Sequence, residues 1–173
     1  AEVLATVSDD HHIYNMAKEW LRSKGEDVDA LVETREREDR GELFIDPPTP
    51  ATEAHTVWQA LQKKAFSTTI EREFQHKVGN VFRDTGLSYE REVRLSEHSR
   101  VDFRVGNTIV ECKTGKFSKT ELLKQIKRYK HEDEAIEAII VVTPAPLRHF
   151  TLNGVPVYAV NISNSSLMIE GLS

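Results

Sequence analysis

The chain has 173 residues, of which 39% are hydrophobic and 29% charged, and its formal net charge is −5. This length and balance predict one globular domain with room for a small appendage. No apolar run approaches the ~18 residues of a membrane span, and the single cysteine, Cys112, excludes an internal disulfide and a cysteine-cluster zinc site. We therefore expect a cytoplasmic protein without a membrane partner.

Residues 1–66 predict a small helical N-terminal appendage with an acidic and proline-rich linker. Apolar residues recur at helical spacing over residues 11–24 and again over residues 53–66. Between them the chain is rich in acidic residues, and residues 46–50 include three prolines, which neither continue a helix nor donate to a sheet. A segment of this size holds little core by itself, so we expect residues 67–173 to form the main domain.

The next element is a helix predicted over residues 69–85, with an apolar stripe at helical spacing. The stripe consists of Ile70, Phe74, Val78, Val81 and Phe82. Glu71 lies at the edge of this stripe and is expected to face the sheet, whereas Glu73 is expected to face solvent. Glu71 also fits a second interpretation, a capping box in which Thr68 is the N-cap and Glu71 reaches back to the start of the helix. Both interpretations stay open at this point.

A β-hairpin follows a predicted strand over residues 87–95. Two short strands rich in β-branched residues, Arg100–Val105 and Thr108–Cys112, are joined by Gly106-Asn107, which is a two-residue hairpin signal. Residues at equal distances from such a turn lie opposite each other. The hairpin therefore sets which charged side chains meet.

Three charged residues of the hairpin are expected to converge on one patch of the sheet. Pairing places Asp102 roughly across from Glu111, and strand alternation points Glu111 and Lys113 the same way. Burying two carboxylates and an ammonium group together is costly unless each has a partner. A divalent cation between the two carboxylates would be the partner of both, and Lys113 would then be available to bind an anion. The competing interpretation is a ladder of charged side chains on a half-solvated hairpin.

A further helix is predicted to start with a capping box formed by Ser118 and Glu121. Its buried side consists of Leu122, Leu123, Ile126 and Tyr129. Gln125 and Tyr129 are four residues apart and share a face. Residues 138–143 are then predicted to form a fully buried strand, and residues 155–160 are predicted to form the last strand. A helix between two strands implies parallel pairing across it, so we expect an α/β fold with a mixed sheet and helices on both faces.

Charge is distributed unevenly along the chain. Residues 91–130 contain eleven lysines and arginines but five acidic residues, whereas residues 26–53 contain ten acidic residues and three arginines. This asymmetry predicts a phosphate-binding face on an otherwise acidic protein. The predicted phosphate contacts are Lys116, Lys119, Lys124 and Arg128. A solvated helix face with i,i+4 pairs would explain part of residues 124–130 but not the arginines on the strands.

Residues 70–162 resemble the PD-(D/E)xK nuclease superfamily, which has the restriction-endonuclease-like fold. The resemblance lies in R-V-D around Asp102, in V-E-C-K with Glu111 and Lys113 as the E-x-K, and in Q-I-K-R-Y over residues 125–129. Glu71 on the preceding helix and the order of elements also fit the superfamily. Val101 replaces the proline that is frequent before the aspartate, at a position that touches no ligand.

The resemblance implies a restriction-endonuclease-like mixed sheet flanked by helices and a metal-dependent nuclease acting on nucleic acid, with DNA as the expected substrate. The implied catalytic set is Glu71, Asp102, Glu111, Lys113, Gln125 and Tyr129. The implied cofactor is Mg²⁺ or Mn²⁺, held by Asp102, Glu111 and the main-chain carbonyl of Cys112, and Glu71 would bind the metal through water or complete a second site. Lys113 would orient or deprotonate the attacking water, and Gln125 and Tyr129 would steady the lysine, a scissile-side phosphate or the strand end.

Other interpretations share this core. A structure-selective endonuclease similar to Holliday-junction resolvases would act as a homodimer or in a larger complex. A repair, recombination, mobile-element or defence nuclease is equally compatible. A catalytically silent DNA-binding module derived from a nuclease is weakened by the presence of the whole set Glu71, Asp102, Glu111 and Lys113.

Overall fold

The computed structural model of the protein describes residues 11–64, 66, 70–115 and 117–162. Within these residues the helices are α1 (His11–Ser23), α2 (Val28–Asp39), α3 (Glu53–Gln62), α4 (Glu71–Asp84) and α5 (Lys119–Glu132). The strands are β1 (Glu90–Arg94), β2 (Arg100–Val105), β3 (Thr108–Cys112), β4 (Ala138–Thr143), β5 (Phe150–Leu152) and β6 (Val155–Asn161). None of the described helices is both long enough and apolar enough to span a membrane.

The strands form one mixed sheet in the order β1-β2-β3-β4-β6-β5. β1, β2 and β3 pair antiparallel, β3, β4 and β6 pair in parallel, and β5 pairs antiparallel with β6. The predicted bounds of the hairpin strands and of the strand over residues 138–143 are confirmed, as is the parallel pairing across α5. The general α/β class is therefore confirmed.

Helices cover both faces of the sheet, as expected from the buried strands. One core contains side chains of α3, α4 and the sheet, among them Val57, Leu61, Phe74, Val78, Phe82, Phe103 and Val110. The other contains side chains of α5 and the sheet, among them Leu122, Ile126, Tyr129, Val101, Ile109 and Val141. The apolar stripes of α4 and α5 are what attach these helices to the sheet, because burying that surface is the dominant favourable term. The two helices therefore approach the hairpin from opposite faces.

The N-terminal segment shares this core. Val57 and Leu61 of α3 are fully buried beside α4, so the predicted boundary at residue 66 separates two parts of the chain that pack together. Asp39 of α2 also forms a 2.8 Å ion pair with Lys127 of α5. Among the described residues, α1 and the start of α2 form a separate small cluster of Ala17, Leu21 and Val28.

Several elements differ in extent from the predicted ones. The acidic stretch before the prolines contains the helix α2, which the Asp27 carboxylate caps by accepting the Ala30 amide at 3.1 Å. The helix predicted over residues 53–66 ends at Gln62, and the helix predicted over residues 69–85 begins at Glu71. The first strand is shorter than predicted, and β5 was missed because three residues are too few to show alternation.

We expect Gly106→Ala to lower the free energy of unfolding by more than the roughly 1–2 kcal/mol that left-handed backbone costs a non-glycine residue. Gly106 has a φ of 56°, and a Cβ there would overlap the Glu53 carboxylate. That carboxylate accepts the Asn107 amide and the Thr108 hydroxyl, each at 2.9 Å. Urea unfolding measures the loss.

Gly86→Ala is the matched control for this prediction. Gly86 has a φ of 72°, but a Cβ there would meet nothing within 4 Å. The control therefore reports the backbone cost alone. Equal losses for the two variants would contradict a structural role for the contact between Glu53 and the hairpin turn.

Candidate active site

The hairpin brings Asp102 and Glu111 together where its ladder ends. The last ladder pair before the strand ends is Phe103 with Val110, and continuing the same register pairs Asp102 with Glu111. The Asp102 amide donates to Glu111 Oε1 at 3.4 Å, and the Cys112 amide donates to Asp102 Oδ2 at 2.8 Å. The structure thus places the two carboxylates side by side, as the hairpin register predicts.

Regular pairing is interrupted at Asp102 on its other side as well. The register of β1 with β2 brings Glu92 opposite Asp102, but this position lacks a ladder pair, although both neighbouring positions are paired. Glu92 has a φ of 50°, in the left-handed region that a non-glycine residue rarely adopts. Such a conformation typically costs about 1–3 kcal/mol, and residues of this kind cluster at functional sites.

The interrupted pairing at Asp102 accompanies a change in the face of the sheet to which the side chains of β2 point. Residues two apart on a regular strand share a face, yet Val101 packs in the core beneath α5 and Phe103 in the core beneath α4. The Asp102 side chain lies between them and reaches Gln75 of α4 at 3.0 Å. Glu111 faces α5, where it accepts the Tyr129 hydroxyl. Asp102 is therefore in contact with α4 and Glu111 with α5.

Glu111 is a buried carboxyl group with 3% of its surface exposed. Burial, and then the neighbouring charge of Asp102, raise its pKa to about 8, while Lys113 and the Tyr129 hydroxyl act in the opposite direction. Burial also raises the pKa of Asp102. The ammonium of Lys113 thus compensates only part of the cost of two desolvated anions. A buried carboxyl group whose pKa is raised as far as that of Glu111 is a candidate for a functional site.

Glu111, Lys113, Gln125 and Tyr129 are linked by three hydrogen bonds and one ion pair. The Lys113 ammonium donates to Gln125 Oε1 at 2.8 Å, the Gln125 amide to the Tyr129 hydroxyl oxygen at 2.5 Å, and the Tyr129 hydroxyl to Glu111 Oε1 at 3.0 Å. Lys113 Nζ lies 3.8 Å from Glu111 Oε2, which closes the chain. Lys113, Gln125 and Tyr129 each donate to the next residue and Glu111 accepts the last hydrogen bond, so the chain holds the lysine beside this carboxylate.

Glu71 lies at the edge of this arrangement as the first residue of α4. It accepts the Gln75 side-chain amide at 3.4 Å, and its charge contributes to raising the pKa of Asp102. The capping-box interpretation is wrong in register: the N-cap is Ile70 and it makes no side-chain cap hydrogen bond, so Glu71 occupies the first helical position and not the third. Thr68, the N-cap of that interpretation, lies outside the described residues.

The donor set suits a hard divalent cation. Asp102, Glu111 and the main-chain carbonyl of Cys112 offer oxygen atoms only, which is the preference of Mg²⁺ and Mn²⁺. The part of the chain that the structure describes contains no group of three or more His, Cys, Asp or Glu side chains placed to hold a metal ion. The role of Glu71 as a further ligand stays a prediction. The Cys112 thiol is buried in the core beneath α4.

The predicted phosphate contacts are only partly brought together. Lys124 and Arg128 line a cleft of about 280 Å³ together with Lys113 and Gln125. Lys119 instead donates to the Gly41 carbonyl at 3.1 Å. Lys116 lies outside the described residues. Asp102 and Glu71 line a second, larger cleft of about 980 Å³.

Two residues of the site were missed from sequence. Gln75 had a usable signal, because it lies four residues after Glu71 and so shares its helix face. Glu92 had no such signal, since a glutamate in a predicted strand does not indicate left-handed backbone.

We expect the metal-free protein to lose stability as the pH rises from about 4.5 to about 8. The pKa of Glu111 is about 8 in the folded protein against an ordinary value of 4.5, so the folded state binds more protons than the unfolded state in this window. The contribution is fully present below pH 4.5 and is lost as the pH rises through the folded pKa. Thermal unfolding in chelator across the window measures it.

Glu111→Gln is the control for this pH dependence, because its amide does not titrate. The difference in stability between the wild type and this variant should change steadily with pH and level off above about 8. Excess Mg²⁺ should restore wild-type stability at the alkaline end, since a cation replaces the lost proton. A constant difference across the window would contradict the burial of Glu111.

Comparison of the chain with models of known protein families, with curated proteins and with solved structures finds no match. The resemblance to the PD-(D/E)xK superfamily therefore rests on the motifs and the arrangement described above, and membership stays a prediction.

Proposed function

We propose that this protein is a metal-dependent nuclease that hydrolyses phosphodiester bonds of nucleic acid, with DNA as the expected substrate, and that its fold is restriction-endonuclease-like. The observation that supports this most is the buried Glu111 carboxyl group, with its pKa raised to about 8, beside Asp102 and within 3.8 Å of Lys113. A surface charge ladder would leave these groups solvated and their pKa values near ordinary ones. Burial of this kind suits a site that binds a cation and then an anion.

A bound divalent cation would supply the Lewis acidity that acidifies water and withdraws charge from a phosphoryl oxygen. Asp102 and Glu111 would hold that cation through their carboxylate oxygens, together with the Cys112 carbonyl. Phosphate esters are among the slowest compounds to hydrolyse without a catalyst, so the residues of the site have to provide both a nucleophile and charge neutralisation.

Lys113 would serve the reaction through its ammonium group. The Lys113 side chain is 24% exposed, and it lines the same cleft as Lys124 and Arg128. A substrate phosphate in that cleft can therefore reach the ammonium group. It would orient the attacking water and neutralise charge that develops on the phosphate. Gln125 and Tyr129 would act through Lys113 and Glu111, since their hydrogen bonds fix both groups, and they are positioning residues.

Lys124 and Arg128 would bind the substrate backbone next to the site. Lys124 has 69% of its side chain exposed and pairs at 3.3 Å with Glu121, whose side chain is equally exposed. An exposed pair of this kind contributes little to stability, so Lys124 is available to a phosphate. Contacts of this type do not read sequence, and their affinity falls with salt.

The experiment that tests the proposal is incubation of the purified chain with labelled single-stranded, double-stranded, flapped and junction DNA, and with the matching RNA. Each substrate is offered with Mg²⁺, with Mn²⁺ and without metal. Cleavage of at least one substrate that depends on the metal is expected. Binding of nucleic acid without cleavage under any metal condition would favour the silent DNA-binding module instead.

A further inference from the structure

Gln75 of α4 lies between two carboxylates. Its side-chain amide nitrogen is 3.0 Å from Asp102 Oδ1 and 3.4 Å from Glu71 Oε1. A carboxamide nitrogen has two hydrogens and can donate to both. Gln75 thus links the first turn of α4 to the strand that contains Asp102.

Asp102 is held by donors from two different elements. The Cys112 amide of β3 donates to Oδ2 at 2.8 Å, and Gln75 of α4 donates to Oδ1. The terminal torsion of an aspartate is broad, with no single staggered well. One donor to each oxygen defines the plane of the carboxylate, and each oxygen keeps a second lone pair for a further partner.

The helix gives this contact a rigid base. Phe74 and Val78, on either side of Gln75 along α4, are fully buried in the core, so the helix cannot turn without losing that packing. The amide is also neutral. It supplies a donor to Glu71 and Asp102 without adding a third negative charge beside two carboxylates that repel each other.

We propose that Gln75 is a positioning residue that fixes the Asp102 carboxylate in the orientation in which it binds a divalent cation, an inference that rests on the proposed function. Residues that orient a metal ligand without touching the metal typically affect metal affinity by about 10–100-fold. The alternative is a purely structural link between α4 and β2, which would affect melting temperature but not cation affinity.

Isothermal titration of Mn²⁺ into the metal-free full chain, without nucleic acid, separates the two. Gln75→Met keeps the length of the side chain and removes both donors. We expect its Mn²⁺ affinity to fall by roughly 10–100-fold. Lys77→Met is the matched control, because Lys77 is exposed on the same helix, and it should bind Mn²⁺ like the wild type. Melting temperatures of all three in chelator report folding.

Gln75→Ala is a second variant, used in case the methionine disturbs packing, and alanine has the best helix propensity. It should show the same loss of Mn²⁺ affinity as Gln75→Met. Wild-type Mn²⁺ affinity in a folded Gln75 variant would overturn this inference alone. A wild type that binds no Mn²⁺ would overturn the proposed function and this inference with it.

Discussion

Lys113→Ala should lower the rate of cleavage by roughly 10²–10³-fold, the usual loss for one group that stabilises charge in a transition state. The Lys113 ammonium is 2.8 Å from Gln125 Oε1 and 3.8 Å from Glu111 Oε2, so it is held at one place beside the carboxylate pair. Its charge acts mainly on the water and on the phosphate as the bond breaks, and less on the resting substrate. Affinity for uncleaved DNA, measured in Ca²⁺ or in chelator, should therefore change little.

Lys124→Ala is the matched control for Lys113→Ala. It also removes one ammonium group from the same cleft, but this lysine is exposed and its ammonium pairs with Glu121 at 3.3 Å. We expect it to weaken binding and to reduce the dependence of affinity on salt, by about one phosphate contact, with little change in the rate at saturating substrate. If Lys124→Ala reduced the rate and Lys113→Ala reduced only the affinity, the assignment of the site would be wrong.

Glu111→Gln should abolish most cleavage and yet make the metal-free protein more stable at alkaline pH. The variant keeps the shape of the side chain and the oxygen that accepts the Tyr129 hydroxyl, but it removes a buried charge whose pKa is raised to about 8. Loss of a direct ligand should exceed the roughly 10–100-fold typical of a residue that only supports one. Gain of stability with loss of function is the usual result of relieving a strained active site.

Two measurements separate this outcome from its alternatives. Single-turnover cleavage reports the rate, and thermal unfolding in chelator above pH 8 reports stability. Glu121→Gln is the control, because Glu121 is exposed and lies in the same cleft as Lys113, and we expect both quantities to match the wild type. A Glu111→Gln variant that is less stable than the wild type at that pH would contradict the prediction, because it would show that the buried carboxylate stabilises the metal-free fold.

The parts of the fold that follow from local pattern were predictable. Gly106-Asn107 between β-branched runs gives the hairpin and its register, and Ser118 is the observed N-cap of α5, whose hydroxyl accepts the Glu121 amide at 3.3 Å. These features depend on residues close in sequence, so spacing alone indicates them. The pairing of Asp102 with Glu111 follows from the same register.

Features that depend on contacts between distant elements were not predictable. Gln75 meets Asp102 across 27 positions of sequence, and the contact requires Asp102 to leave regular alternation. That departure accompanies the left-handed Glu92, which no pattern of residue types marks. Lys119 was predicted as a phosphate contact from charge alone, but its ammonium reaches the Gly41 carbonyl, a partner fixed by the tertiary packing of α5 against the N-terminal segment.

The proposal that Asp102 and Glu111 form a cation-dependent hydrolytic site is tested most directly by a reversible chelation experiment. The chain is mixed with its cleavable substrate in excess EDTA, the time course is followed, and Mg²⁺ is then added beyond the chelator. We predict no cleavage before the addition and wild-type cleavage after it, because the two carboxylates would otherwise repel each other at the point where charge must be neutralised. Undiminished cleavage in excess chelator would contradict the proposed mechanism.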